Sequence, residues 1–341
     1  SALRHPKGHV MAGTFRLAFR RFTPWKARIR DQRWSLAALD SHVLCGKMTA
    51  SDGTKLPYRY WPARGEPRAA LLMLHGACDY SGAFDEVAPK LTRRGFSVFA
   101  YDQRGFGGTE KRGRWRGKKR MAKDAAEALS MLRDRAGDIP TFVVGESMGG
   151  AIAVQAAVRE NVEVDGLILA APGALASTFW RLIASWLARV VNYFMPEWEI
   201  VIERLSGKDL TPAAAIHLLF DPLILRGIRP DMLFGLVKLG RSSVEKADKV
   251  KLPVLTMMGS RDDILRQACI WALHQRLAGK KEWALFNDGP HLLFHWQQHE
   301  LVLDRMTRWI DQRIKARPAP AAEIIAMPQQ PAEQEFAVNA A

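Results

Sequence analysis

One serine of the chain stands in a pattern that can make it a nucleophile. Residues 145–149 read Gly-Glu-Ser-Met-Gly, which matches G-x-S-x-G, and they lie between the apolar run TFVV and the helical pattern GAIAVQAAV. A sharp strand-to-helix turn of this kind presents the serine Oγ above a sheet, and glycines flank the serine because a Cβ there would collide with neighbouring backbone. The N-terminus of the following helix stabilises negative charge at the site. The motif predicts that Ser147 is a catalytic nucleophile.

Two later loops can supply the base and the acid that such a serine needs. In sites of this kind the chain order is serine, acid, histidine. Residues 260–263 (SRDD) follow the apolar run PVLTMMG, and residues 287–291 (NDGPH) follow EWALF. We predict that His291 is the general base. Asp262 is favoured as the acid that orients it, and Asp263 stays open as the alternative.

An oxyanion formed during acyl transfer needs two backbone N–H donors. The N–H of Met148 comes directly after the nucleophile, and the N–H of Ala77 lies in the loop after the apolar run ALLMLH. We predict that these two groups form the oxyanion hole. His75 is expected to fix its loop by hydrogen bonding. His295 and His299 are expected to lie in a helix, at the surface or behind the catalytic residues.

The elements that must position these residues alternate between strands and helices. Runs that are apolar throughout predict strands buried on both faces: ALLMLH, FSVFAYD, TFVVG, GLILAA, PVLTMMG and EWALF. Helical patterns separate them, over 82–95, 122–137, 150–160, 267–279 and 299–316. This alternation is typical of an α/β fold with a mostly parallel sheet. HVLCGKMTA and LPYRYW flank the turn signal SDGTK and predict a β-hairpin.

The composition divides the chain into four parts. Residues 1–40 form a basic N-terminal extension, in which aromatic residues at helical spacing predict a short amphipathic helix. Residues 41–173 and 251–316 form the α/β core. Residues 174–250 interrupt the alternation, are helix-rich without a clear strand, and are interpreted as a cap. Residues 317–341, rich in Ala, Pro, Gln and Glu, are expected to be a flexible tail.

The predicted cap carries an apolar stripe at helical spacing that includes Phe179, Ile183 and Trp186. The stripe either packs on the core or lines a site for an acyl chain. We take these three residues, together with Leu292 beside His291, as candidates for substrate binding. An apolar cap next to a serine nucleophile favours a hydrophobic ester as substrate.

The positive charge of the chain is concentrated in two segments. The net charge is +15, yet residues 1–30 and residues 111–123 each carry eight Lys or Arg and no Asp or Glu. The segments are either solvated basic faces or surfaces for anionic lipid headgroups, and nucleic acid is the least favoured partner. Three cysteines without CxxC spacing argue against a disulfide framework and against zinc. We therefore expect no metal and no cofactor, in a cytoplasmic protein that is either free or peripheral at the inner membrane surface.

The sequence resembles the monoacylglycerol lipase and lysophospholipase branch of the α/β-hydrolases. HGACDYSGAF, YDQRGFGGTE, GESMGG, GSRDD and NDGPHLLFH carry the resemblance, in the family's order and over residues 45–315. It implies a mostly parallel eight-stranded sheet flanked by helices with a helical cap. It also implies Ser147, Asp262 and His291 as the triad, with Ala77 and Met148 as oxyanion donors. At residues 78–80 the branch often has Gly-Glu-His, whereas this chain has Cys-Asp-Tyr.

These expectations converge on a serine hydrolase that cleaves hydrophobic carboxylic esters through an acyl-enzyme. A thioesterase, an acyltransferase and a C–C bond hydrolase can use the same triad and remain alternatives. A non-catalytic, membrane-associated binding module on the same fold is a third possibility, and the intact set of catalytic residues argues against it.

Overall fold

The computed structural model describes residues 17–21, 43–175, 198–202 and 209–316 of the chain. The strands in these residues are β1 Leu17–Arg21, β2 Leu44–Thr49, β3 Lys55–Trp61, β4 Ala69–Leu74, β5 Phe96–Tyr101, β6 Thr141–Glu146, β7 Gly166–Ala170, β8 Trp198–Ile202, β9 Gly227–Ile228, β10 Val254–Gly259 and β11 Lys281–Phe286. The α-helices are α1 Ala88–Arg93, α2 Lys118–Ala136, α3 Met148–Arg159, α4 Pro212–Phe220, α5 Pro230–Glu245, α6 Gln267–Arg276 and α7 His299–Lys315. No helix of these residues is long and apolar enough to cross a membrane.

Eight of the described strands form one sheet, in the order β11-β10-β7-β6-β4-β5-β3-β2. The strands from β11 to β5 run parallel, whereas β3 pairs antiparallel with both β5 and β2. Every residue of β4, β5, β6, β7 and β10 is buried. Strands buried on both faces need helices on both sides of the sheet. The predicted fold class, a mostly parallel eight-stranded α/β sheet, is confirmed.

Two apolar clusters fill the spaces between the sheet and its helices. On one face α2, α3, α5 and α6 bury residues such as Leu129, Ile152 and Leu239. On the other face α1 and α7 bury residues such as Leu91 and Trp309. The predicted helix over 82–95 is divided in the structure into a 3-10 turn, Ser81–Phe84, and α1, because Pro89 belongs to the first turn of a helix and cannot continue one from before it.

The region between β7 and β10 differs from its prediction. It contains two strands, β8 and β9, where the sequence indicated none, and β8 pairs antiparallel with β1 from the N-terminal extension. The amphipathic helix predicted in residues 1–40 is therefore wrong at Leu17–Arg21. Leu17–Arg21 forms a strand because it pairs with β8. The sequence of β8, WEIVI, has consecutive β-branched residues, which favour extended backbone. The helices α4 and α5 lie in the same region.

Candidate active site

Ser147 lies at the turn between β6 and α3, where its backbone has φ 51° and ψ −116°. A non-glycine residue at positive φ is strained and persists only when its surroundings hold it there. The backbone supplies that restraint, because Ser147 N donates to Ala170 O at 2.9 Å and Ser147 O accepts from Gly173 N at 2.7 Å. A Cβ on Gly149 would collide with the Leu74 carbonyl. The sequence requirement for glycine in this turn is therefore steric.

The structure brings Ser147, His291 and Asp262 together in one hydrogen-bonded line. His291 Nε2 lies 2.9 Å from Ser147 Oγ, and His291 Nδ1 lies 2.8 Å from Asp262 Oδ2. The Asp262 side chain is 0% exposed, so water does not compete for its bond to the imidazole. A carboxylate on Nδ1 fixes the tautomer in which Nε2 can accept the serine proton. The arrangement can generate a serine nucleophile at neutral pH.

The loop after β10 distinguishes Asp262 from Asp263. Asp262 Oδ1 accepts from the backbone N–H groups of Ile264 and Leu265, at 3.0 and 2.8 Å. These two bonds orient the carboxylate so that Oδ2 meets His291. Asp263 is exposed. The geometry favours Asp262 as the residue that orients the base.

The predicted oxyanion donors lie on both sides of Ser147. Met148 is the first residue of α3, and the first N–H groups of a helix have no partner within it. On the other side, a Cβ built on Gly76 would lie 3.5 Å from Ser147 Cβ, so the loop that carries Ala77 passes directly beside the nucleophile. Ala77 and Met148 therefore belong to the two segments that border Ser147, where the predicted oxyanion donors are required.

His75 holds the loop before Ala77. Its Nδ1 lies 2.7 Å from Gly76 O, and its Nε2 accepts a hydrogen bond from Gln103 N at 2.9 Å. The Gln103 side chain in turn donates to His75 O at 2.7 Å. Burial lowers the pKa of His75 and so favours the neutral ring that these bonds require. His75 therefore fixes the loop before Ala77, and its ring nitrogens contact Gly76 and Gln103 rather than Ser147.

Of the four candidates for substrate binding, the structure describes Leu292. It is partly buried and packs on a small apolar cluster formed by Tyr80, Leu218 and Ile224. Phe179, Ile183 and Trp186 lie outside the described residues. Leu218 and Ile224, which belong to α4 and to the segment after it, were not among the candidates predicted from the sequence. The apolar pattern of α4 could have indicated them.

A second group of ionisable residues lies between α4 and the core. His217 Nε2 is 2.8 Å from Asp79 Oδ1, and His217 Nδ1 is 3.5 Å from Asp221 Oδ2. Burial lowers the pKa of His217, but its hydrogen bonds to Asp221 and Asp79 outweigh burial and raise that pKa to about 10. Burial raises the pKa of Asp79, yet the hydrogen bond and the charge of His217 hold it well below its usual range.

His295 belongs to the same group. It lies in the 3-10 turn Leu293–His295, and its Nε2 is 3.8 Å from Asp79 Oδ2. His299 is also buried and is the first residue of α7. Of the two positions expected for His295 and His299, the structure excludes the surface, and a place behind the catalytic residues stays open. The reason is that the chain after His291 turns inward under α4 before α7 begins.

The basic segment 111–123 lies against the cap region. Arg112 Nη2 donates to Pro222 O at 2.7 Å and to Ile224 O at 3.0 Å, directly after α4. Arg120 pairs with Asp124 and Glu127 of its own helix. Five other cations of the segment are exposed: Lys111, Arg114, Arg116, Lys119 and Lys123. Apart from Leu17–Arg21, the basic segment 1–30 lies outside the described residues.

The chain is similar to known proteins in sequence. The model of the family described as serine aminopeptidase, S33, matches residues 65–297. The monoglyceride lipase of Rattus norvegicus is 29% identical over 280 residues, which cover 77% of this chain and 89% of that protein. The monoacylglycerol lipase of Mycolicibacterium smegmatis is 26% identical over 269 residues, covering 76% of this chain and 93% of that protein.

Solved structures share the fold. A soluble variant of monoglyceride lipase from Saccharomyces cerevisiae, in complex with a substrate analogue, superposes with a TM-score of 0.68 at 22% identity over 80% of this chain and 96% of that one. A carboxyl esterase from Bacillus coagulans in complex with glycerol gives a TM-score of 0.68 at 19% identity over 80% of this chain and 99% of that one.

Proposed function

The chain belongs to the serine aminopeptidase S33 family of α/β-hydrolases and is a carboxylic ester hydrolase, and from that premise we propose that it cleaves lipid-like esters through an acyl-enzyme on Ser147. The observation that carries the proposal is the hydrogen-bonded line from Asp262 through His291 to Ser147 Oγ. The line joins three loops that each follow a parallel strand of the sheet.

The proposed reaction has two halves. Ser147 Oγ attacks the ester carbonyl while His291 Nε2 takes the serine proton, and the N–H groups of Ala77 and Met148 stabilise the oxyanion. His291 then gives that proton to the leaving alcohol, which leaves an acyl group on Ser147. Water attacks the acyl-enzyme in the second half, again with His291 as base. Asp262 holds the imidazole and stabilises its positive charge in both halves.

The proposed substrate is an ester with a medium or long acyl chain. Leu292, next to the base, packs on Tyr80, Leu218 and Ile224, and this apolar group can serve as a wall for an acyl chain. Several similar proteins are named monoglyceride or monoacylglycerol lipases, which supports the same substrate class. Each methylene that leaves water contributes about 0.8 kcal/mol, so chain length should control kcat/KM.

A series of p-nitrophenyl esters tests the substrate class. We expect kcat/KM to rise by at least about tenfold from the acetate to the decanoate, because methylenes buried against the apolar wall each contribute about 0.8 kcal/mol. Monoacylglycerols should be cleaved with the same order of chain preference. Leu218→Ala should lower the ratio of kcat/KM for the decanoate to kcat/KM for the acetate. Leu301 is an exposed leucine of α7, and Leu301→Ala should leave that ratio unchanged.

The same series separates the proposal from its alternatives. Faster turnover of acyl-CoAs than of any oxygen ester would indicate a thioesterase and refute the substrate class. A kcat/KM that is flat with chain length would do so as well. Hydrolysis of none of these substrates by the folded protein would indicate a binding module.

We propose further that the cap side of the molecule docks peripherally on anionic lipid. The helix α4 exposes Ile216, Leu219 and Phe220, the last of them at 72%. Arg112 fixes the basic segment 111–123 beside α4 through the carbonyls of Pro222 and Ile224. Exposed apolar residues next to a concentration of cations are typical of surfaces that meet charged membranes.

Vesicle sedimentation tests this docking. Phosphatidylcholine vesicles containing phosphatidylglycerol should bind the protein, and Arg116→Glu with Lys119→Glu should weaken that binding at least about tenfold, since each cation near such a surface contributes about 1 kcal/mol. Added salt should weaken it too. The control pair Lys280→Glu and Arg308→Glu changes the net charge equally at exposed positions outside the segment. An equal loss of vesicle binding in the two double variants, or vesicle binding that does not change with salt, would contradict the proposal.

A further inference from the structure

Three residues that play no part in the proposed reaction place their donor atoms in one small volume. Asp79 comes from the loop after β4, His217 from α4, and His295 from the turn that follows His291. One carboxylate oxygen and one nitrogen from each ring all lie within 4.8 Å of one another. Two imidazoles and a carboxylate are a common ligand set for a divalent transition-metal ion.

The spacing of the donor atoms fits a single ion of zinc size. Ligands at about 2.0–2.1 Å in tetrahedral geometry stand about 3.4 Å apart. Asp79 Oδ1 lies 2.8 Å from His217 Nε2, Asp79 Oδ2 lies 3.8 Å from His295 Nε2, and one donor atom from each residue lies within 4.8 Å of the other two. The widest pair must close by at most about 1.4 Å, which side-chain rotation can supply.

A carboxylate also lies near the second ring nitrogen of each histidine, at ion-pair distance. His217 Nδ1 lies 3.5 Å from Asp221 Oδ2, and His295 Nδ1 lies 3.9 Å from Glu146 Oε2. A carboxylate behind a metal-binding histidine fixes its tautomer and strengthens it as a ligand. The nearby carboxylates are an observation separate from the ligand distances, and Glu146 would close to hydrogen-bond distance of His295 Nδ1 when an ion binds.

The outer carboxylates are themselves fixed. Asp221 accepts from Tyr80 OH at 2.6 Å and from Leu223 N at 2.7 Å. Glu146 Oε1 accepts from Phe294 N at 3.2 Å. Three carboxylates thus surround two imidazoles in a largely buried volume, and such a volume favours a cation. The His217 side chain is 15% exposed, which gives an ion a path from solvent.

We propose that Asp79, His217 and His295 bind one divalent transition-metal ion, with Zn²⁺ the best fit to two nitrogens and one oxygen. The proposal departs from the expectation of no metal, which rested on the cysteines alone. A bound ion would tie α4 of the cap region to the loop that carries Ala77 and to the turn after His291. Without an ion, a proton on His217 holds α4 to Asp79 as an ion pair.

Zinc binding by the full chain, first stripped with EDTA, tests the proposal. Competition with a chromophoric chelator should reveal a high-affinity equivalent of Zn²⁺, and thermal unfolding should shift upward with free Zn²⁺ because the ion binds the folded state. Co²⁺ in the same site should give the visible absorption of a low-coordinate nitrogen and oxygen site. None of these measurements depends on ester hydrolysis.

Substitutions within the cluster test whether the ion binds there. His217→Gln and His295→Gln should each lower zinc affinity more than about 100-fold, and Asp221→Asn should lower it about 10–100-fold, the effect expected of a partner behind a ligand. His274→Gln is the matched control, a buried histidine bonded to Thr256 outside the cluster, and should leave the affinity unchanged. His217 lies at the partly exposed side of the cluster, so its replacement should be tolerated. A cooperative melt of His217→Gln in EDTA verifies that this variant is folded.

Two results would overturn the proposal. One is a stripped chain whose melting temperature and cobalt spectrum ignore added metal. The other is a zinc equivalent that survives in both His217→Gln and His295→Gln, which would place it on other histidines. In either case the cluster is an ion pair held by a proton.

Discussion

Replacing Ser147 by alanine should lower kcat on the best ester substrate by at least about 10³-fold. The variant removes the Oγ that lies 2.9 Å from His291 Nε2, so no acyl-enzyme can form. Activity that remains should reflect the oxyanion donors and substrate binding alone. KM should change little, because binding of the acyl chain does not depend on the hydroxyl.

Steady-state kinetics on purified protein measure this effect. Ser130→Ala, an exposed serine on α2, is the matched control and should retain wild-type kcat. Both variants should melt cooperatively near the wild-type temperature. Wild-type kcat in a folded Ser147→Ala protein would exclude this serine as the nucleophile.

The second large effect concerns the acid. Asp262→Asn should lower kcat by about 10⁴-fold, because the Asn amide would donate to His291 Nδ1 and force the tautomer in which Nε2 carries the proton. The imidazole could then no longer accept a proton from Ser147. Asp263→Asn is the control from the same loop and should stay within about twofold of wild type.

This pair of variants decides a question that the sequence left open. A larger loss in Asp263→Asn would assign the acid to Asp263, and comparable losses would contradict the assignment to Asp262 alone. The comparison is well controlled because the two aspartates are adjacent in one loop, whereas the Asp262 side chain is buried and Asp263 is exposed.

The main features of the sheet and the sharp turn at Ser147 could be predicted from the sequence because their signals are local. A buried parallel strand is an uninterrupted apolar run, and the turn at Ser147 needs glycine at fixed positions. Asp262 and Asp263 could not be separated as firmly, because both stand in the same loop. The distinction depends on which carboxylate has one oxygen held by Ile264 N and Leu265 N.

The cluster around Asp79 could not have been predicted in this way. The substitution of Cys-Asp-Tyr for Gly-Glu-His at 78–80 was visible in the sequence, but the partner His217 lies 138 positions away. The strand β1 was missed for a different reason. Aromatic residues at helical spacing indicated a helix, whereas pairing with β8 supplies backbone hydrogen bonds that a local pattern does not reveal.

Labelling with a fluorophosphonate probe, followed by peptide mass mapping, tests the central claim most directly. The probe reacts with an activated serine hydroxyl and marks the residue that would carry the acyl group. We predict one adduct per chain, on the peptide that contains Ser147, and its loss in both Ser147→Ala and His291→Ala. An adduct on a different residue, or undiminished labelling of Ser147→Ala, would contradict the account.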